Sequence, residues 1–259
     1  MKKYLLALCL IAISISIQAK PLSVVFEHNP PFQMINDSGF GYGPVYDFAQ
    51  ALVKQAGLSA QFTPKPWARI IEKDAQQPNT LILSISKTPQ RSPQFIWLTS
   101  VYTGQQYIWK LRDEVDPEGK PVQVAIERDS HKMKSIYAYF QAENVLEVLN
   151  STQALNALIK GRVQRFVGTT FAVSGKLASL GYSLNILEQL AVFNEGEFAS
   201  QGLHLALTLG TEPEVLNALQ QALIHPDTIK LQTELTHSFM QREQALLDAQ
   251  MQKKLMVEH

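Results

Sequence analysis

The chain has 259 residues, with 23 basic and 23 acidic side chains, six histidines and a single cysteine. Without Lys2 and Lys3, which fall in an N-terminal leader, 21 basic residues face 23 acidic ones, a net charge of about −2 with no basic block, and this excludes an electrostatic binder of nucleic acid. Cys9 lies in the same leader, so the remainder excludes disulfides, cysteine-ligated zinc and a thiol nucleophile.

Lys2 and Lys3 precede an apolar run from Leu5 to Ile17 that ends at Ile17-Gln18-Ala19, the layout of a secretory signal peptide. Ser14 and Ser16 interrupt the run, which is shorter than the roughly 20 apolar residues of a membrane span. Cleavage is expected after Ala19, with residues 1–19 as leader and the mature protein in the periplasm. Leu8 before Cys9 does not fit a lipid-attachment signal.

Beyond the leader, strand-like and helix-like runs alternate: LSVVF (22–26), the helical VYDFAQALVKQAG, SAQFTP, the helical PWARIIEKDA, and TLILSIS (80–86). This alternation indicates an α/β architecture. Val45, Phe48, Ala49, Leu52 and Val53 follow helical spacing, Pro44 opens that helix and Gly57 takes the left-handed position at its end. The turn-rich stretch from Arg112 to Pro121 breaks the pattern. The same grammar then restarts with VQVAI, a helix near Lys132 to Phe140, NVLEVL, STQALNALIKG with Ser151 as cap, and RFVGTT. From Gly202, LHLALTLG reads as a strand and TEPEVLNALQQALI as a helix, with Thr211 and Glu214 at capping-box spacing. The polar run from Asp227 to Glu258 reads as helical.

EHNPPF (27–32), GYGPVYDFAQAL, TPKPWARI (63–70), SISKTPQRSPQFIW (84–97), STQALNALIKGRVQRFVGTT (151–170) and LHLALTLGTEPEVLNALQQAL (203–223) occur in this order and spacing. The chain thereby resembles the bacterial extracellular solute-binding proteins of family 3, the polar amino acid binders. The resemblance implies an α/β, two-lobed type II periplasmic binding protein fold hinged between its lobes. Lobe 1 would comprise residues 20–103 and 204–259 and lobe 2 residues 104–203, with crossings near Val101 to Tyr107 and Gln201 to Leu205.

The resemblance also implies a ligand site in the cleft. Arg91 in TPQRSP matches the arginine that grips a ligand carboxylate, a role suited to a planar guanidinium. Ser84 and Ser86 stand where the family offers contacts to the same carboxylate, more often from Gly and Thr. Trp67 and Arg69, with Phe32, Tyr42, Trp97 and Tyr102, are candidate cleft walls. Arg128, Asp129 and Ser130 match a segment that commonly holds a basic residue and a Gly-Ser turn. In FVGTTF, Thr169, followed by Thr170, stands where amino acid binders place an aspartate for the ligand's ammonium, and Glu27 is a substitute for it.

The expected activity is capture of a small carboxylate-bearing ligand, an amino acid or close relative, for uptake through an inner-membrane ABC permease. A monomer is expected, and no enzyme, metal or other cofactor. The histidines at 28, 131, 204, 225, 237 and 259 lack metal-ligand spacing. Two alternatives stay open: a sensor for a membrane receptor, and an enzyme like the cyclohexadienyl dehydratases, which resemble the same fold, with Glu27 and His28 as the titratable pair.

Overall fold

The computed structural model describes residues 21–194, 196 and 199–257, so the expected signal peptide lies outside the described residues. In chain order the elements are β1 (Leu22–Phe26), β2 (Met34–Ile35), β3 (Gly41–Tyr42), α1 (Pro44–Gln55), β4 (Ala60–Pro64), α2 (Trp67–Glu72), β5 (Thr80–Ser86) and β6 (Phe95–Tyr102). There follow β7 (Gln106–Leu111), β8 (Val124–Glu127), α3 (Met133–Phe140), β9 (Val145–Val148), α4 (Ser151–Ile159), β10 (Phe166–Thr169), α5 (Thr170–Ser179) and β11 (Leu187–Val192). The chain ends with β12 (Leu203–Thr208), α6 (Pro213–Leu223) and α7 (Pro226–Val257).

Two lobes result. Lobe 1 is a five-stranded sheet in the order β4-β1-β5-β12-β6, with β1 parallel to β4 and β5 and β12 antiparallel to both β5 and β6. Alternation along β1 sends Leu22, Val24 and Phe26 into the core beneath α1, α6 and α7, and Val25 into a second core against α2. Lobe 2 holds the antiparallel sheet β10-β7-β11 and the parallel pair β8-β9, joined by a bridge between Val124 and Arg165.

Alternation fails once in β5, and the failure is informative. Ile82 and Ile85 enter the same core although they are three residues apart, because Ser84 has a left-handed backbone, φ 53°, and the pairing to β12 slips between His204 and Ala206. This is a β-bulge, and it turns the end of β5 toward the cleft.

All five residues picked out by helical spacing in α1 are buried, Pro44 is its first residue, and Gly57 is left-handed at φ 67°. Two caps differ from expectation. Asn150, not Ser151, caps α4, its side chain accepting the Gln153 N–H at 2.8 Å. At α6 the cap position is Glu212, since Pro213 occupies the first turn, and the Thr211 hydroxyl instead donates to the Thr208 carbonyl at 2.8 Å.

Residues 103–105 link β6 to β7, and residues 199–202 lead into β12. A Cβ at Gly202 would run into the Tyr102 carbonyl and the Thr103 side chain, and φ 96° there is also left-handed. The 32-residue α7 makes a third connection. Phe239, 1% exposed, packs on lobe 1 and on Phe171 of lobe 2, while Gln250 donates to the Leu184 carbonyl at 3.5 Å. Among the described residues no helix is long and apolar enough to cross a membrane.

Candidate functional site

The lobes face each other across a cavity of about 140 Å³. From lobe 1 it is lined chiefly by residues at or beyond the C-terminal ends of β1 and β5, the usual place for ligand sites in open α/β sheets.

Arg91 sits in the turn after β5, with its backbone N–H on the Thr88 hydroxyl at 3.2 Å. Its guanidinium lies 5.2 Å from the centroid of the Trp67 ring and donates to the Ser86 carbonyl at 3.5 Å and to the Asp129 carbonyl of lobe 2 at 2.9 Å. Burial pulls its pKa down to about 10, opposed by the charges of Glu127 and Asp129, so it remains a cation at neutral pH. The Trp67 indole donates to the same Asp129 carbonyl at 3.1 Å. Ser84 and Ser86 line the cavity, Ser84 donating to Gln33 Oε1 at 2.7 Å.

Glu27 follows β1, its carboxyl accepting the Trp67 backbone N–H and hydrogen-bonding the carboxyl of Glu127 at the end of β8. The pKa values of both are raised, first by burial; at Glu27 the charge of Glu127 adds to this, and at Glu127 the hydrogen bond to Glu27 and three nearby cations oppose it. Lys176 on α5 is 4% exposed and crosses the cleft to donate to Asn29 Oδ1 at 2.7 Å and to the Pro30 carbonyl at 3.3 Å. Burial lowers its pKa to about 8, with Glu127 opposing. Lys132 donates to the Val167 carbonyl at 2.6 Å and stands 5.9 Å from the Phe166 ring. The site thus contains a carboxylate pair among three cations.

Several expected residues occupy other positions. Phe32 and Tyr102 touch the cavity, but they are buried in an aromatic cluster with Phe171 and Phe239. The Tyr102 hydroxyl donates to Glu243 Oε2 of α7 at 2.6 Å; burial and then Glu243 drive its pKa far up. Thr169 lines the cavity, but its hydroxyl caps α5 by accepting the Ala172 N–H at 3.3 Å. Ser130 lines the cavity, and its hydroxyl accepts the Lys132 N–H at 3.4 Å.

Thr170 does not line the cavity, because the turn from β10 into α5 buries it completely. Arg128 does not either: its side chain is 56% exposed and meets Glu147 at 3.6 Å on the outer face. Arg69, Tyr42 and Trp97 also stand outside the lining, Tyr42 exposed and Trp97 stacked edge-on with His204. His28 Nδ1 accepts the Ile35 N–H at 3.0 Å, and burial together with Lys176 lowers its pKa, so it is a neutral acceptor fixed to β2.

Sequence reasoning missed Glu127 and Lys176. Lys176 is the only charged residue between Phe166 and Leu180, and an isolated charge in so apolar a stretch is the signal that marks it.

The sequence profile of the bacterial extracellular solute-binding proteins, family 3, matches residues 22–253. No curated protein matches the sequence significantly. Among solved structures, a histidine kinase sensor domain similar to periplasmic binding proteins superposes with a TM-score of 0.69 at 17% identity, covering 83% of this chain and 94% of that one. An ancestral amino acid-binding protein, a precursor of cyclohexadienyl dehydratase, gives 0.65 at 21% identity over 85% and 95%. An arginine-specific periplasmic binding protein of Salmonella typhimurium gives 0.63 at 16% identity over 83% and 99%. At these identities the structural likeness establishes the fold, and the profile match establishes the family: the chain belongs to the bacterial extracellular solute-binding proteins, family 3.

Proposed function

We propose that the protein captures a small carboxylate-bearing solute, an amino acid or close relative, in the interlobe cavity and hands it to an inner-membrane ABC permease. The observation that carries this reading is Arg91, a half-buried guanidinium of lobe 1 that lines the cavity and already spans to lobe 2 through the Asp129 carbonyl. A carboxylate entering there would take two parallel hydrogen bonds from it in a site screened from water. Lobe 1 (20–103 and 204–259) and lobe 2 (104–203) turn about the two crossings, after export to the periplasm and loss of residues 1–19. Ser84, Ser86 and Trp67 surround the carboxylate, and Glu27 receives the ammonium that Thr169 does not.

The test is calorimetry with the standard L-amino acids on wild type and Arg91→Ala. The substitution weakens binding by about 2–5 kcal/mol, the range for leaving a desolvated charge unpaired. A loss smaller than about threefold, under 1 kcal/mol, refutes the role of Arg91.

One observation favours a second reading, a dehydratase. Burial and the neighbouring Glu127 raise the pKa of Glu27 in the cleft, the direction a general acid needs. Product formation from prephenate distinguishes this enzyme from a binder.

A further inference from the structure

The Glu27–Glu127 contact is made by one carboxyl from each lobe. Two ionised carboxylates do not stay in contact in a site removed from water, so a proton or another cation must lie between them whenever the lobes meet. Two acceptor oxygens of residues that line the cavity, Glu127 Oε1 and Gln106 Oε1, also stand buried without a donor.

The charged groups around the pair come from every element packed on it. Lys176 of α5 directs its ammonium to Asn29 and Pro30. Arg91, after β5, gives its protons to the Ser86 and Asp129 carbonyls. Lys132, ahead of α3, donates to Val167, and His131 beside it lines the same cavity. Asp129 lies in the loop after β8, and His28, next to Glu27, is turned to the Ile35 N–H.

Trp67 ties this pair to the carboxylate end of the site. Its backbone N–H holds the Glu27 carboxyl and its ring lies against Arg91. A ligand whose carboxylate meets Arg91 and whose cation meets the glutamates therefore carries the two groups close together, as an α-amino acid does.

We propose that Glu27 and Glu127 form one seat, with a carboxylate from each lobe, for a single ligand ammonium, which enters in place of the proton the two carboxylates otherwise share. The proposal rests on the amino acid reading above and extends it with a residue of lobe 2 and a stoichiometry. The exchange balances: one R–NH₃⁺ arrives and one H⁺ leaves to solvent. Closure on a solute without an ammonium keeps the proton in place.

The experiment is a thermal-shift screen of the standard L-amino acids, followed by calorimetry of the tightest one and of its α-deamino analogue. Each is run at pH 7 in phosphate and in Tris, whose different heats of ionisation reveal proton exchange. The expected result is release of about one proton on binding the amino acid, none on binding the analogue, and affinity for the amino acid rising up to about tenfold per pH unit. In Glu127→Gln proton release disappears and affinity for the amino acid falls by about tenfold or more.

Amino acid binding by wild type without proton release overturns the seat, and so does a Glu127→Gln protein that binds equally well. If Glu127→Gln does not fold, the proton count on wild type decides alone. Binding that depends on Arg91 but releases no proton sinks the seat and leaves the amino acid reading standing; no binding by any amino acid in the screen sinks both.

Discussion

The Asp129 carbonyl accepts the Arg91 Nη2–H at 2.9 Å across the cleft, aimed there by a left-handed backbone at Asp129, φ 60°. Ser84, at φ 53°, is the other left-handed residue without a glycine's freedom that borders this site. The left-handed conformation costs a non-glycine residue of order 1–3 kcal/mol, less for Asp.

Asp129→Gly should therefore leave stability within about 1 kcal/mol of wild type and preserve the carbonyl's position. Asp129→Val, β-branched and strongly disfavoured there, should destabilise by about 1–3 kcal/mol. Urea denaturation of both variants checks the contrast, and equal stabilities would contradict it.

Gly175 lies within α5, and a Cβ there would come within 2.7 Å of the Pro31 nitrogen and Cγ on lobe 1. Alanine favours the helix by about 0.8–1 kcal/mol over glycine, so Gly175→Ala should fold at least as well as wild type. It should nevertheless hold the lobes apart, because the blocking atoms belong to a rigid ring and backbone. The expected outcome is an unchanged or raised Tm with ligand affinity lowered by about tenfold or more, roughly 1.4 kcal/mol. Small-angle scattering on the saturated variant should give a larger radius of gyration than saturated wild type.

The raised pKa values of Glu27 and Glu127 set a sign for the pH dependence of stability. Above the ordinary carboxyl value of 4.5 the folded state holds more protons here than the unfolded chain, so the stability that this pair contributes is present below that pH and is lost as pH rises. Glu127→Gln removes the loss. Its Tm should exceed that of wild type by more at pH 8 than at pH 5, at about 2–4 °C per kcal/mol for a chain of this size. A constant difference across that range would contradict the assignment.

Glu243 Oε2 accepts from the Tyr102 hydroxyl at 2.6 Å and from the Phe171 N–H at 2.9 Å, tying α7 to the hinge and to the start of α5. Glu243→Ala leaves both donors without that acceptor and should cost about 1–3 kcal/mol. Hydrogen exchange should show the Phe171 amide losing protection, while amides in β1 and β5 keep theirs relative to global stability.

Much of lobe 1 was legible from sequence because its signals are local. The spacing in α1, the apolar run of β5 and the TPQRSP turn each sit within a few residues of what they specify. Lobe 2 was harder for two physical reasons. At the end of β8 successive side chains point to opposite faces, so choosing Arg128 over Glu127 moved the expected contact from the cavity to solvent. At the β10–α5 junction the helix is apolar on most sides and shows little periodicity, which concealed both the helix and its cap at Thr169. The role of α7 was legible only as helical propensity. Nothing in a polar helix marks Glu243 as the residue that meets two lobes.

The position of β12 governs the order in which the molecule can be assembled. This strand lies in the interior of the lobe 1 sheet, between β5 and β6, yet it is the last of the described strands in the chain. Residues 106–193 can pair among themselves as soon as they emerge, whereas β6 has no place in its sheet until residues 203–208 arrive. Domains form as units as their chain becomes available. Lobe 2 is thus the part able to mature early, and lobe 1 keeps an unpaired β5 edge until residues 203–208 have been delivered, a window in which a holdase that covers exposed strand edges has its natural target.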